Sequence, residues 1–202
     1  MAEAVFQKKF RYHHGQLREA LIESALNILK EKGPAGLNLR ALAQATGVTQ
    51  AAPYSHFRDK DDLLAAAAEA GFQRLALQMA EDAAGLRDTR ARIEKLMASY
   101  IRFAVENKAL FQLMFSSELA DMKNHPTLAM TAGKSYALIS AALSKRLQPG
   151  EDTPFLTVAL WSLCHGITSL IIDEKINLKQ FGADSVDDFI KRTVGLFSGH
   201  LA

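Results

Sequence analysis

Residues 37–64, LNLRALAQATGVTQAAPYSHFRDKDDLL, constrain the fold of this chain more than any other segment, because three helix-start signals crowd into them. Asn38 is placed to cap a first helix whose apolar positions Leu39, Leu42 and Ala43 recur at three and four. Gly47 stands just past its end, where a left-handed backbone costs glycine little. Val48 can plug the corner that follows. Thr49 is expected to cap a second short helix, Gln50 to His56, and Asp59 a third, with Asp62 at the acidic capping-box position. This punctuation leaves room for compact helices around a tight turn, a helix-turn-helix, which is a device for setting one helix in the DNA major groove.

The rest of the chain reads as helices too, so the expected fold class is all-α: an N-terminal helix-turn-helix domain, residues 1–60, then a second helical domain, residues 61–202. Leu17, Leu21, Ala25, Ile28 and Leu29 make an apolar stripe on a helix from about Gln16 to Lys32, which Gly33, Pro34 and Gly36 stop. A long helix runs from Lys60 to about Ala84 and joins the two domains. Further helices are expected over Thr89–Glu106, Ala109–Leu119, Pro126 to about Leu147, Pro154 to about Lys175, and from Ser185 to about Ser198. No run is expected to be long and apolar enough to span a bilayer, and the N-terminal stretch lacks a secretory signal's apolar core. One cysteine, Cys164, excludes an intrachain disulfide framework and fits a reducing cytoplasm.

The net charge of +2 conceals an asymmetry. Residues 1–60 hold nine Lys and Arg against five Asp and Glu, giving +4; the remainder holds 15 against 17, giving −2. Lys8, Lys9 and Arg11 form a basic arm that can follow phosphates or enter a minor groove, or be no more than a solvated terminus. On the second short helix, Gln50, Ser55 and His56 are the expected base readers, since glutamine pairs bidentately with adenine while serine and histidine are permissive. Ala51 and Ala52 are small enough to approach a thymine methyl, and Arg40 can meet either a base or a phosphate. With Thr49 at the cap, these are the candidate DNA contacts.

The stretch from Tyr12, YHHGQLREALIESALNILKEKGPAGLNLRALA, then GVT, then AAPYSHFRDKDDLL, resembles the tetracycline-repressor family of bacterial transcription regulators. The Tyr54, His56, Phe57, Lys60 spacing followed by Leu63 and Leu64 carries the likeness. WSLCHGITSLI from Trp161 looks like the Trp-x-x-x-His-Gly helix of one subgroup of that family. The resemblance implies that the Tyr54 hydroxyl and the Lys60 ammonium meet phosphates, that the protein works as a homodimer on a palindromic double-stranded DNA operator, and that its C-terminal domain binds a small-molecule effector. Pro53 departs from the family's larger aliphatic residue.

Large apolar side chains crowd the C-terminal half. Tyr100, Phe103, Phe111, Met114, Phe115 and Trp161, with His165 four residues beyond Trp161, can line an adaptable effector pocket or simply fill a core. A neutral, hydrophobic effector with one hydrogen bond to His165 or Tyr100 would suit them, with Arg102 and Lys108 the nearest cations. Leu156, Leu160, Leu163, Ile167 and Leu170 recur along one helix, and Phe189, Val194 and Phe197 along the next. These two helices are the expected dimer interface, with Gly166 its most sensitive point. No cofactor, metal site or membrane partner is expected. An enzyme is disfavoured, because Cys164 and His165 point about 100° apart on a helix and no phosphate loop, zinc spacing or nucleophile elbow is present. The alternative to a ligand-responsive repressor is an effector-independent helical DNA-binding protein.

Overall fold

The computed structural model describes the backbone of residues 14–119, 124–145 and 153–198, with side chains in those ranges except at 14, 15, 118 and 194–198. The arm residues Lys8, Lys9 and Arg11, and the side chains of Val194 and Phe197, lie outside that description. The described backbone holds eight α-helices joined by turns and 3₁₀ segments, with no strand among the described residues. It splits into two compact units, Met1–Leu63 and Leu64–Ala202.

In the first unit, α1 (His14–Gly36) buries Leu21, Ala25, Ile28 and Leu29. Its regular path breaks at Gly33, whose φ of 66° admits glycine at little cost. Pro34 then opens a last turn, closed by the Leu37 N–H to the Pro34 carbonyl at 3.2 Å. For α2 (Leu39–Thr46), Asn38 Oδ1 accepts from the Ala41 N–H at 2.8 Å, and Gly47 takes the left-handed conformation at φ 72°. The Val48 N–H reaches back to the Ala43 carbonyl at 3.1 Å, so both ends of this two-turn helix are tied off.

The second helix of the motif differs from expectation. Residues Ala52–Ser55 form a single 3₁₀ turn rather than an α-helix from Gln50 to His56, and its first position carries no side-chain cap, so Thr49 is not the cap. Pro53 explains both differences. It lacks an N–H to bond backwards, and it pushes Ala52 away from α geometry. Its carbonyl compensates by accepting from both the His56 and Phe57 N–H groups, at 3.0 and 2.9 Å. The start of α3 (Lys60–Asp82) is capped by Asp59, whose Oδ1 accepts from the Asp62 N–H at 2.8 Å.

The second unit is built round α4 (Thr89–Glu106), which begins at the Asp88 cap and packs on α6 (Pro126–Leu143), α7 (Thr153–Ile172) and α8 (Val186–Ser198). Its buried face is Ile93, Leu96, Met97, Tyr100, Ile101 and Ala104. The short α5 (Lys108–Met114) follows at once and buries Leu110, Phe111, Leu113 and Met114. A 3₁₀ turn at Leu178–Phe181, capped by Asn177 and closed by Gly182, was not anticipated, although Asn and Gly five apart are its signal. Ser185 opens α8 as expected, its Oγ accepting from the Asp188 N–H at 3.1 Å.

One expectation is overturned in α7. Over an 18-residue window its mean hydropathy is 1.8, and the helix is long and apolar enough to cross a membrane by length and composition, yet only 28% of that window is buried within the chain. The helix is apolar on both sides. Thr157, Leu160, Cys164, Thr168 and Ile172 face inward, and the two threonine hydroxyls donate to carbonyls four residues back at 2.7 Å. Phe155, Val158 and Leu170 face outward. The outward side chains thus give α7 a second apolar face besides the one that packs on α4 and α6.

Candidate functional site

The candidate DNA-reading surface lies on α2, the 3₁₀ turn and the first residue of α3. Arg40, Thr49, Gln50, Ala51, Tyr54, Ser55 and Lys60 are exposed, while Ala52 and His56 are half-buried. Pro53 and Phe57 anchor the turn from below; Phe57 is buried with the Arg18 guanidinium 5.8 Å from its ring centroid. Tyr54 stands out at 61% exposed, so its ring as well as its hydroxyl is open to solvent. Ser55 is less free than its exposure implies. Its hydroxyl donates to the Ala52 carbonyl at 2.7 Å, leaving only acceptor capacity for a base edge. Arg58, missed in the sequence reading, adds a further exposed cation beside Lys60; the Arg-Asp-Lys run is the signal that marks it.

A different cluster occupies the second unit. Tyr100 on α4, Phe111 on α5, Phe115 just beyond it, and Trp161 and His165 on α7 stack against one another. Ring centroids lie 5.5 Å apart for Tyr100–Phe111, 4.8 Å for Phe111–Phe115, 4.5 Å for Phe115–His165 and 5.7 Å for Trp161–His165. The Tyr100 hydroxyl sits 3.0 Å from His165 Nδ1. Burial raises the Tyr100 pKa, and a hydrogen bond from Trp161 opposes that shift. Burial lowers the His165 pKa, which favours the neutral imidazole. Tyr100, Phe103, Phe111 and Met114 are fully buried, whereas Phe115, Trp161 and His165 keep partial exposure. The cluster therefore has a sealed back and an accessible front, with one polar pair, Tyr100 and His165, inside aromatic walls.

The two cations nearest the cluster in sequence are engaged elsewhere. Arg102 forks onto Asp187 at 3.2 and 3.3 Å, and Lys108 pairs with Glu174 at 3.2 Å. Two open grooves lie apart from the cluster: one of about 480 Å³ between α3 and α6, and one of about 450 Å³ between α4 and α8. Cys164 is buried beside this region with its thiol pushed up to about 12 by desolvation, which makes it an inert core residue.

On the expected dimer surface, Gly166 and Leu170 are exposed and Leu163, Ile167 and Phe189 half-buried, but Leu160 points into the core. The outward stripe instead runs through Phe155, Val158, Gly166 and Leu170. A period of 3.6 places Leu160 with Cys164 on the opposite face. The exposed Phe181 ring lies 6.3 Å from that of Phe189.

The profile of bacterial regulatory proteins of the tetR family matches residues 21–67, and that of the tetracyclin repressor-like C-terminal domain matches residues 93–197. The chain is 51% identical to the class C tetracycline repressor protein of Escherichia coli over 53 residues, which are 26% of this chain and 24% of that repressor. It is 26% identical over 162 residues to YobS, an uncharacterised HTH-type transcriptional regulator of Bacillus subtilis, covering 79% of this chain and 81% of that protein. A solved structure from Rhodococcus sp. RHA1, of a protein with unknown function, superposes with a TM-score of 0.76 at 28% identity, covering 96% of this chain and 97% of that one. With the C-terminal profile alone spanning more than half of its residues, this chain belongs to the tetracycline-repressor family of transcription regulators, which bind DNA through the N-terminal helix-turn-helix.

Proposed function

We propose that this regulator acts as a homodimeric repressor on a palindromic operator and is released by a small hydrophobic effector. Residues 1–60 contact DNA and 61–202 serve effector binding and dimerisation. Tyr54 and Lys60 grip phosphates, Gln50 reads a base, and Ala51 and Ala52 approach the groove floor. The observation that carries the effector half is the Tyr100–His165 hydrogen bond inside the aromatic cluster. It supports membership in the subgroup with the Trp-x-x-x-His-Gly helix, because the spacing of four on α7 sets Trp161 beside the imidazole that meets the Tyr100 hydroxyl on α4. An effector that enters past Phe115 and takes over the Tyr100–His165 hydrogen bond would separate α4 from α7. It releases DNA only if it binds the non-operator conformation more tightly, and a coupling of about 1–3 kcal/mol suffices.

The dimer is proposed on the outward face of α7, where Val158 and Leu170 are exposed. The test is a selection of duplexes from a random library by the wild-type protein. Enrichment of a two-fold symmetric sequence, bound by a dimer with steep salt dependence, is expected. A monomer at micromolar concentration, or no enriched sequence, would overturn the reading.

A further inference from the structure

We infer that Asp62 is a positioning residue for DNA binding: an acidic side chain retained at a phosphate-facing turn because it holds that turn in shape. The inference rests on the DNA-binding reading of the first unit.

The turn from His56 to Lys60 links the 3₁₀ turn to α3 and places Lys60. On its upstream side, the Pro53 carbonyl holds the His56 and Phe57 N–H groups. On its downstream side Asp62 takes over. Its Oδ2 accepts from the Arg58 N–H at 3.1 Å and lies 3.5 Å from Arg58 Nε. The Asp62 N–H is itself held by Asp59 Oδ1 at 2.8 Å, so backbone and side chain of Asp62 grip the turn at two points. A capping box would return the carboxylate to the N–H of the cap, Asp59; here it reaches one residue further back, and so clamps the whole turn. Asp61, next to it, is exposed and makes no such contact.

Two effects of opposite sign separate positioning from charge. Both aspartates sit in the first turn of α3, close to where Lys60 would meet a phosphate. On charge alone, removing either one lowers repulsion and tightens DNA binding, more so at low salt. If Asp62 positions the turn, removing it frees Arg58 and Lys60 to wander, and binding weakens despite the lost negative charge.

The experiment compares Asp61→Ala, Asp62→Ala and Asp62→Asn on the duplex that wild-type protein selects from a random library. Asp61→Ala should bind as tightly as wild type or a few-fold tighter. Asp62→Ala should bind about tenfold more weakly, with its salt slope reduced by about one unit as a phosphate contact is lost. A role confined to helix stability would leave the slope of the folded protein unchanged. Asp62→Asn keeps an oxygen for the Arg58 N–H and should recover part of the loss. Should Asp62→Ala fail to fold by circular dichroism, Asp62→Asn against Asp61→Asn carries the same test, with equal charge removed and weaker binding expected only for the former. Equal binding by the Asp61 and Asp62 variants of either pair would overturn the inference. Failure of wild type to select any duplex would instead overturn the DNA-binding reading itself.

Discussion

Two tyrosines show how differently the two units use the same chemistry. Tyr54 lies in a 3₁₀ turn at 61% exposed, and its surroundings are set by residues within a few positions of it. Tyr100 is wholly buried, and its hydroxyl partner, His165, lies 65 residues away. The contrast extends to the polar contacts around each. In the first unit the side-chain hydrogen bonds from Asn38 to Ala41, Ser55 to Ala52 and Asp62 to Arg58 span three or four residues. In the second unit Arg102 reaches Asp187 and Gln112 reaches Asp173, across 85 and 61 residues. A function displayed on locally determined backbone can be read from short motifs. A function built where helices converge depends on packing that no local motif specifies.

The largest effect should come from truncating the buried cluster. Phe111→Ala should cost about 3–5 kcal/mol of unfolding free energy, because the ring is enclosed by Tyr100, Phe115 and His165. Trp161→Ala, at the half-exposed front, should cost less and instead change the response to effectors. Urea titrations of both variants check this, and equal losses would erase the distinction between sealed back and accessible front.

Next in size, Gly47→Ala should destabilise by about 1–2 kcal/mol, since alanine pays for the left-handed φ of 72°. Gly166→Ala is its counterpart in α7. A Cβ there meets nothing within 4 Å in the single chain, so a monomer should gain up to about 1 kcal/mol. If the partner covers Gly166, dimer affinity should fall instead. Thermal melts read the first variant, and sedimentation at several concentrations reads the second.

Lys60→Ala should weaken binding to every duplex by a similar factor and lower the salt slope by about one unit, because phosphate contacts carry no sequence information. An unchanged slope, measured by fluorescence anisotropy, would remove Lys60 from the contacts and blur the contrast between the units.

The smallest effect concerns pH. Burial holds the His165 pKa below its ordinary 6.5, so the unfolded chain binds more protons than the folded one as pH falls below that value. Stability is therefore full above about 6.5 and declines as pH drops through the window between the unfolded and folded values. Half-exposure keeps the effect small. His165→Gln should flatten this part of the stability profile, and an unaltered profile would show that the imidazole contributes nothing to it.

What the sequence determined by itself was the punctuation and the family: Asn38, Gly47, Asp59 and Ser185 each act over three or four residues, and the structure places each where its residue type demands. The sequence also marked α4 and the aromatic wealth of the second unit, through spacing alone. Three matters belonged to the tertiary structure. Pro53 and the buried Phe57 turned an expected α-helix into a single 3₁₀ turn, because one residue lacking an N–H sits above one anchored ring. The faces of α7 could not be told apart while every side of that helix was apolar; only the positions of α4 and α6 decided that Leu160 turns inward and Phe155 outward. The Tyr100–His165 pair exists because two helices distant in sequence pack side by side, and a hydrogen bond across 65 residues leaves no periodic trace in the chain.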